Sequence, residues 1–126
     1  MSVKYNLSER ANPQDPTAPK KWYATAKSTG ETTLKSLGKE ITQRSTVNHA
    51  DTLAVLEALT QVLTEHLSDG RIVRFGDFGS FQVSIGSQGA ETAEKFNASF
   101  IKSKKVVFRP GMDIKEMLNN LKFEKF

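Results

Sequence analysis

The chain has 126 residues, 37% apolar and 25% charged, with no cysteine, which suits one ordinary globular domain and excludes a disulfide framework and a thiolate zinc site. The net charge is +4, a mild basic balance that favours an anionic partner without naming one. No run approaches the roughly 20 apolar residues of a membrane helix, and MSVKYNLSER lacks the apolar core of a signal peptide, so a cytoplasmic protein is expected.

VKYNL (residues 3–7) alternates Val3, Tyr5 and Leu7 with polar residues, the period of a half-buried strand. ANPQDPTAP follows with three prolines, which remove donors and favour extended backbone, hence a loop. KKWYATAKS is β-prone through Trp22, Tyr23 and Thr25. From about Thr32 the period becomes helical, with Leu34, Leu37 and Ile41. A second helix is expected to start after Asn48, a good N-cap, with Asp51 at N3 and Val47 in the position of a hydrophobic staple. It runs to about Ser68, with Leu53, Leu56, Leu59, Leu63 and Leu67 on one face and Val55, Ala58 and Val62 beside it. So wide an apolar face needs cover on more than one side, which points to a dimer. Gly70 is the expected C′ residue.

RIVRF and SFQVSI flank GDFG and predict a hairpin. The segment GSQGAETAEKFNAS is polar, and the basic strand FIKSKKVVF (residues 100–108) returns from it. PGMD stops that strand and opens a last helix with Ile114, Met117, Leu118 and Leu121 on one face; LKFEKF ends in alternation. The order of elements is α+β, and VKYNL, WYATA and LKFEKF are expected to pair as a small added sheet.

Charge is unevenly spread. Residues 36–84 hold four basic and six acidic groups, whereas residues 85–109 hold Lys95, Lys102, Lys104, Lys105 and Arg109 against Glu91 and Glu94. No catalytic or metal-binding constellation stands out: His49 and His66 are isolated, and the Asp77-Phe78-Gly79 triplet lacks the glycine-rich and catalytic loops that give it meaning in kinases. No enzyme, cofactor, metal or small-molecule substrate is expected.

From about Leu34 to about Leu121 the chain resembles the bacterial histone-like HU and integration host factor family. Phe78-Gly79-Ser80-Phe81 is similar to that family's hairpin, and VVFRPGMDIKEML, with Phe108 and Gly111, to its return strand and final helix. Asp77 stands where the family's first hairpin glycine usually sits. Residues 1–31, a strand, Pro-rich loop and strand, lie outside the shared region and resemble a longer HU-related branch. The resemblance implies a domain at 32–126 with an arm at about 84–106. It also implies an intertwined homodimer, or a heterodimer with a paralogue, whose two β-arms embrace and bend double-stranded DNA in the nucleoid without strong sequence preference.

On that basis the expected DNA contacts are Lys95, Lys102, Lys104, Lys105 and Arg109, with backbone amides of Gly79, Ser80 and Gly111. The expected dimer core is Phe78, Phe81, Phe108, Leu56, Leu59 and Leu63. The family's arginine–asparagine–proline tip is absent, since residues 86–99 contain no Pro or Arg; Phe96 is the candidate wedge between base steps, a role Phe plays in other minor-groove binders. Met112 replaces a family lysine. These departures support an alternative, an HU-fold protein-interaction module with weakened or lost DNA binding.

Overall fold

The computed structural model describes all 126 residues. It is an α+β protein with three helices and two three-stranded sheets. The chain divides into two compact units, one of Met1–Thr33 with Met117–Phe126 and one of Leu34–Glu116. The last ten residues cluster with the N-terminal strands because Phe123–Lys125 pairs with Val3–Tyr5.

In the first unit, β1 (Val3–Arg10) lies between β2 (Lys21–Lys27) and β6 (Phe123–Lys125). It pairs antiparallel with β2, from Lys4 opposite Lys27 to Arg10 opposite Lys21. It pairs parallel with β6, Val3 opposite Phe123. The expected three-segment sheet therefore forms. The Lys4 ammonium lies 2.5 Å from the Glu124 carboxylate, and the Ser2 hydroxyl donates to it at 3.0 Å. These two bonds, Lys4 first, hold the Glu124 carboxyl below its ordinary value. The Pro-rich loop closes on itself: Asn12 Oδ1 accepts from the Gln14 N–H at 2.9 Å, and Asp15 Oδ1 accepts from the Thr17 hydroxyl at 2.7 Å and its N–H at 3.2 Å. Such side-chain-to-backbone turns replace the ladder bonds that proline removes.

In the second unit, α1 (Leu34–Gln43) packs on α2 (His49–Ser68). They approach closely because Gly38 has no side chain: a Cβ there would lie 2.8 Å from Leu53 Cδ2. The N-cap is as read, with Asn48 Oδ1 accepting from the Asp51 N–H and Asn48 Nδ2 donating to the Asp51 carboxylate, both at 2.9 Å. The staple is not formed. Position N4 is Thr52, which is buried and donates its hydroxyl to the Asn48 carbonyl at 2.9 Å, so Val47 has no apolar partner there and stays exposed.

The second sheet has the order β3 (Val73–Phe75), β4 (Gly79–Ser87), β5 (Ile101–Pro110), all antiparallel, with α2 against β3 and β4. Then α3 (Met112–Asn119) follows; it ends before Leu121, which the sequence reading had placed on its face. No apolar side chain of the single chain is fully buried. Leu53, Leu56, Leu59, Leu63 and Leu67 are half-buried, while Val55 and Val62 are 65% and 47% exposed.

Candidate nucleic-acid interface

The hairpin between β3 and β4 turns at Gly76-Asp77-Phe78, where the Phe78 N–H donates to the Phe75 carbonyl at 3.1 Å. Gly76 takes φ 55°, and no non-glycine residue has positive φ. Asp77 is tolerated in place of the family's glycine because its neighbour carries the left-handed conformation. Gly79, expected in the turn, is the first residue of β4. Its φ is 153°, and a Cβ would lie 2.5 Å from the Arg109 carbonyl oxygen and 2.6 Å from the Phe108 ring. Glycine here lets β4 press against β5.

The turn is tied to the start of α3. The Gly111 N–H donates to the Phe78 carbonyl at 2.9 Å, and the Asp113 N–H to the Asp77 carbonyl at 3.0 Å. The Gly111 amide, expected as a phosphate donor, is thus occupied within the fold. What it contributes is close approach, since a Cβ on Gly111 would run into the Asp77 carbonyl.

From this base β4 and β5 continue as a ribbon. The register sets Ser80 opposite Arg109, Gln82 opposite Val107 and Ser84 opposite Lys105. Strand alternation puts these on one face. The other face carries Phe81 opposite Phe108, Val83 opposite Val106 and Ile85 opposite Lys104. At its foot, Phe75, Phe78, Phe108 and Phe81 form a chain of ring contacts with centroids 5.0–5.9 Å apart. Lys105 and Arg109 therefore share a polar face, and Lys104 shares the apolar one. Register shifts at Gly86/Ser87, where β5 advances two residues from Ser103 to Ile101; Lys102 is the extra residue of that bulge, a place where chains re-aim a side chain.

Beyond the bulge the tip folds into two single 3₁₀ turns, Ala93–Lys95 and Ala98–Phe100. Thr92 and Asn97 cap them by accepting from the N–H groups of Lys95 and Ser99. Lys95 is bonded to Glu91 at 3.1 Å, so its charge is partly offset. Phe96 stacks edge-on against Phe100 at 5.5 Å and is 39% exposed. Lys102, Lys104, Lys105 and Arg109 are all exposed and belong to neither of the molecule's salt bridges.

Sequence reasoning overlooked Arg74. The hairpin register places it opposite Ser80, hence in one row with Ser80 and Arg109. These three, with Gly76, Gly79, Pro110 and Gly111, line a cavity of about 150 Å³. Counting residues back across the FGDFG turn would have found it.

No curated protein matches the chain. A solved structure of a candidate bacterial DNA-binding protein from Bacteroides vulgatus matches with a TM-score of 0.68 at 13% sequence identity. The match covers 99% of this chain and 48% of that one, so the chain spans about half the length of that protein, and at this identity the likeness is one of fold. A family model described as an HU domain fused to a wHTH, Ig or glycine-rich motif, HU-HIG, matches residues 1–125: with its glycine-bearing hairpin, its long ribbon and the short helix tied to the turn, this chain belongs to the HU-HIG family.

Proposed function

We propose that the protein binds double-stranded DNA as a dimer, bends it, and does so with little sequence preference. The observation that carries this reading is the ribbon's set of exposed cations without carboxylate partners: Lys102, Lys104, Lys105 and Arg109. Unpaired cations along an extended arm suit a polyanion, whose condensed counterions they release on binding. The HU-like membership and the description of the Bacteroides vulgatus protein support the same partner. An HU-like family of this kind works by binding; the protein is not an enzyme.

In this reading Lys95, Lys102, Lys104, Lys105 and Arg109 meet phosphates, with the backbone at Gly79, Ser80 and Gly111 shaping the base of the ribbon. Phe96 is the wedge, and it leaves Phe100 to enter a base step. Phe78, Phe81, Phe108, Leu56, Leu59 and Leu63 form the core between protomers. Residues 1–31 are the added module of an HU-related branch, residues 32–126 carry the HU-like domain, and the protein works on the nucleoid.

The test is a titration of fluorescent duplexes of about 30–40 bp, intact and nicked, at two salt concentrations. Binding that weakens with salt and varies little with sequence is expected. No binding at low salt and micromolar protein would sink the proposal. A second reading, a protein-interaction module, is favoured by the first unit, where Trp22 and Phe123 are 63% and 66% exposed; a dimer that ignores every duplex would support it.

A further inference from the structure

The row Arg74–Ser80–Arg109 crosses all three strands of the second sheet, one residue per strand. Facing residues on neighbouring strands project to the same side. The two arginines are separated by two strand spacings, roughly 10 Å between backbones. Both are exposed, neither forms a salt bridge, and both line the cavity of about 150 Å³ above Ser80. Asp77, the acidic residue of the adjoining turn, pairs with neither.

Two like charges brought to one small concavity repel each other in the free protein. An anion between them removes that repulsion and gains charge-assisted bonds. Guanidinium groups match phosphate oxygens with a planar fork of donors. The cavity wall suits such a guest: Gly76, Gly79 and Gly111 contribute bare backbone, and Ser80, between the two arginines on the central strand, adds a hydroxyl-bearing residue to the lining.

We propose that Arg74 and Arg109 form a clamp for a single backbone phosphate of the bound duplex, seated over Ser80 at the base of the ribbon. This rests on the DNA-binding reading and adds a residue and a geometry to it. The clamp restores positive charge to the neighbourhood of α3, where Met112 supplies none. It also fixes where the duplex crosses the sheet, because a bidentate pair on each side of one phosphate defines position, whereas the arm lysines act as movable point charges.

Two measurements on the full chain test it. The first compares wild type with Arg74→Gln, Arg74→Lys and Lys105→Gln in the duplex titration, after checking that each melts like wild type. Arg74→Gln is expected to lose about ten- to hundredfold in affinity, the range of a hydrogen-bonded charge contact, and to lower the salt slope by about one phosphate. Arg74→Lys should keep the slope and lose part of the affinity. If wild type binds duplex and Arg74→Gln binds with the same affinity and slope, the clamp is wrong and the DNA reading stands. The second follows the arginine Nε–Hε NMR signals while inorganic phosphate is added. Arg74 and Arg109 should shift together, with one apparent affinity, ahead of Arg10, Arg44 and Arg71. Independent or absent shifts overturn the clamp even if no duplex binds, whereas joint shifts with no duplex binding keep the anion clamp and sink nucleic acid as its source.

Discussion

Gly79 shows how much one missing side chain decides. Its φ of 153° and the Arg109 carbonyl 2.5 Å from any Cβ both forbid a larger residue, so Gly79→Ala should cost of order 2–4 kcal/mol through backbone strain and overpacking together, read as a drop in the urea midpoint. Gly76→Ala meets no atom within 4 Å and should cost only the strain of φ 55°, about 1–2 kcal/mol. Glu124 tells a different story. Lys4 and Ser2 lower its folded carboxyl pKa, so its contribution to stability is present above the unfolded-state value and fades as pH falls through the lowered one. Acid titration of Tm should therefore be shallower in Glu124→Gln than in wild type as pH falls through and below the ordinary glutamate range; identical profiles would remove the Lys4–Glu124 pair from the account. At this scale the sequence identifies residue types but not register. Simple alternation along FIKSKKVVF puts Lys102 and Lys104 on one face and Lys105 on the other, yet Lys102 is the extra residue of the bulge, and the role of Arg74 follows only from its place opposite Ser80.

Elements were more legible than residues. Periods of two and three to four gave the strands and helices, because apolar spacing follows directly from which side of each element is covered. The N-cap of α2 was legible for a similar reason, since Asn48 and Asp51 act within one turn and need no tertiary context. Asn48→Ala should cost about 1 kcal/mol, seen as a few degrees in Tm, while Asp51→Asn should cost less because the N–H bond to Asn48 Oδ1 remains. What failed were features settled by packing partners. Val47 is a staple only if N4 is apolar, and N4 is Thr52. Leu121 continues the helical spacing of α3, but the Lys122 carbonyl accepts from the Val3 N–H at 2.8 Å, so the chain has already left the helix to join β1. By composition the tip of the ribbon is only a polar segment. It is two capped turns with Phe96 on Phe100, a local cluster that composition alone does not reveal.

For the whole molecule the decisive quantity is exposed surface. A folded monomer of 14.0 kDa exposes roughly 6,700 Å² by the usual size scaling, and two independent bodies of the observed lengths roughly 8,000 Å². This chain exposes 10809 Å² and buries no apolar side chain fully. Part of the excess is the ribbon; the rest includes the second side of α2, where Val55 and Val62 face outward, and the apolar ribbon stripe of Val83, Ile85, Val106 and Phe108, each 36–60% exposed. These continue from the half-buried Leu53–Leu67 face and the phenylalanine cluster, as halves of a core completed by a second copy would. The sequence already hinted at this through the width of the helix face, but a width does not say which side a partner takes. Val55→Asp separates the possibilities. On a free monomer a charge at a 65% exposed position changes stability by at most about 0.5 kcal/mol. In the proposed dimer it buries an unpaired carboxylate in an apolar seam, which is strongly destabilising. Sedimentation should show wild type at twice the mass of one chain, with a Tm that rises with protein concentration. Val55→Asp should abolish both, as a lighter species or an unfolded one. A wild type that sediments as one chain, melts at a fixed temperature and tolerates Val55→Asp would mean that the exposed seam stays open, and the intertwined architecture would have to be given up.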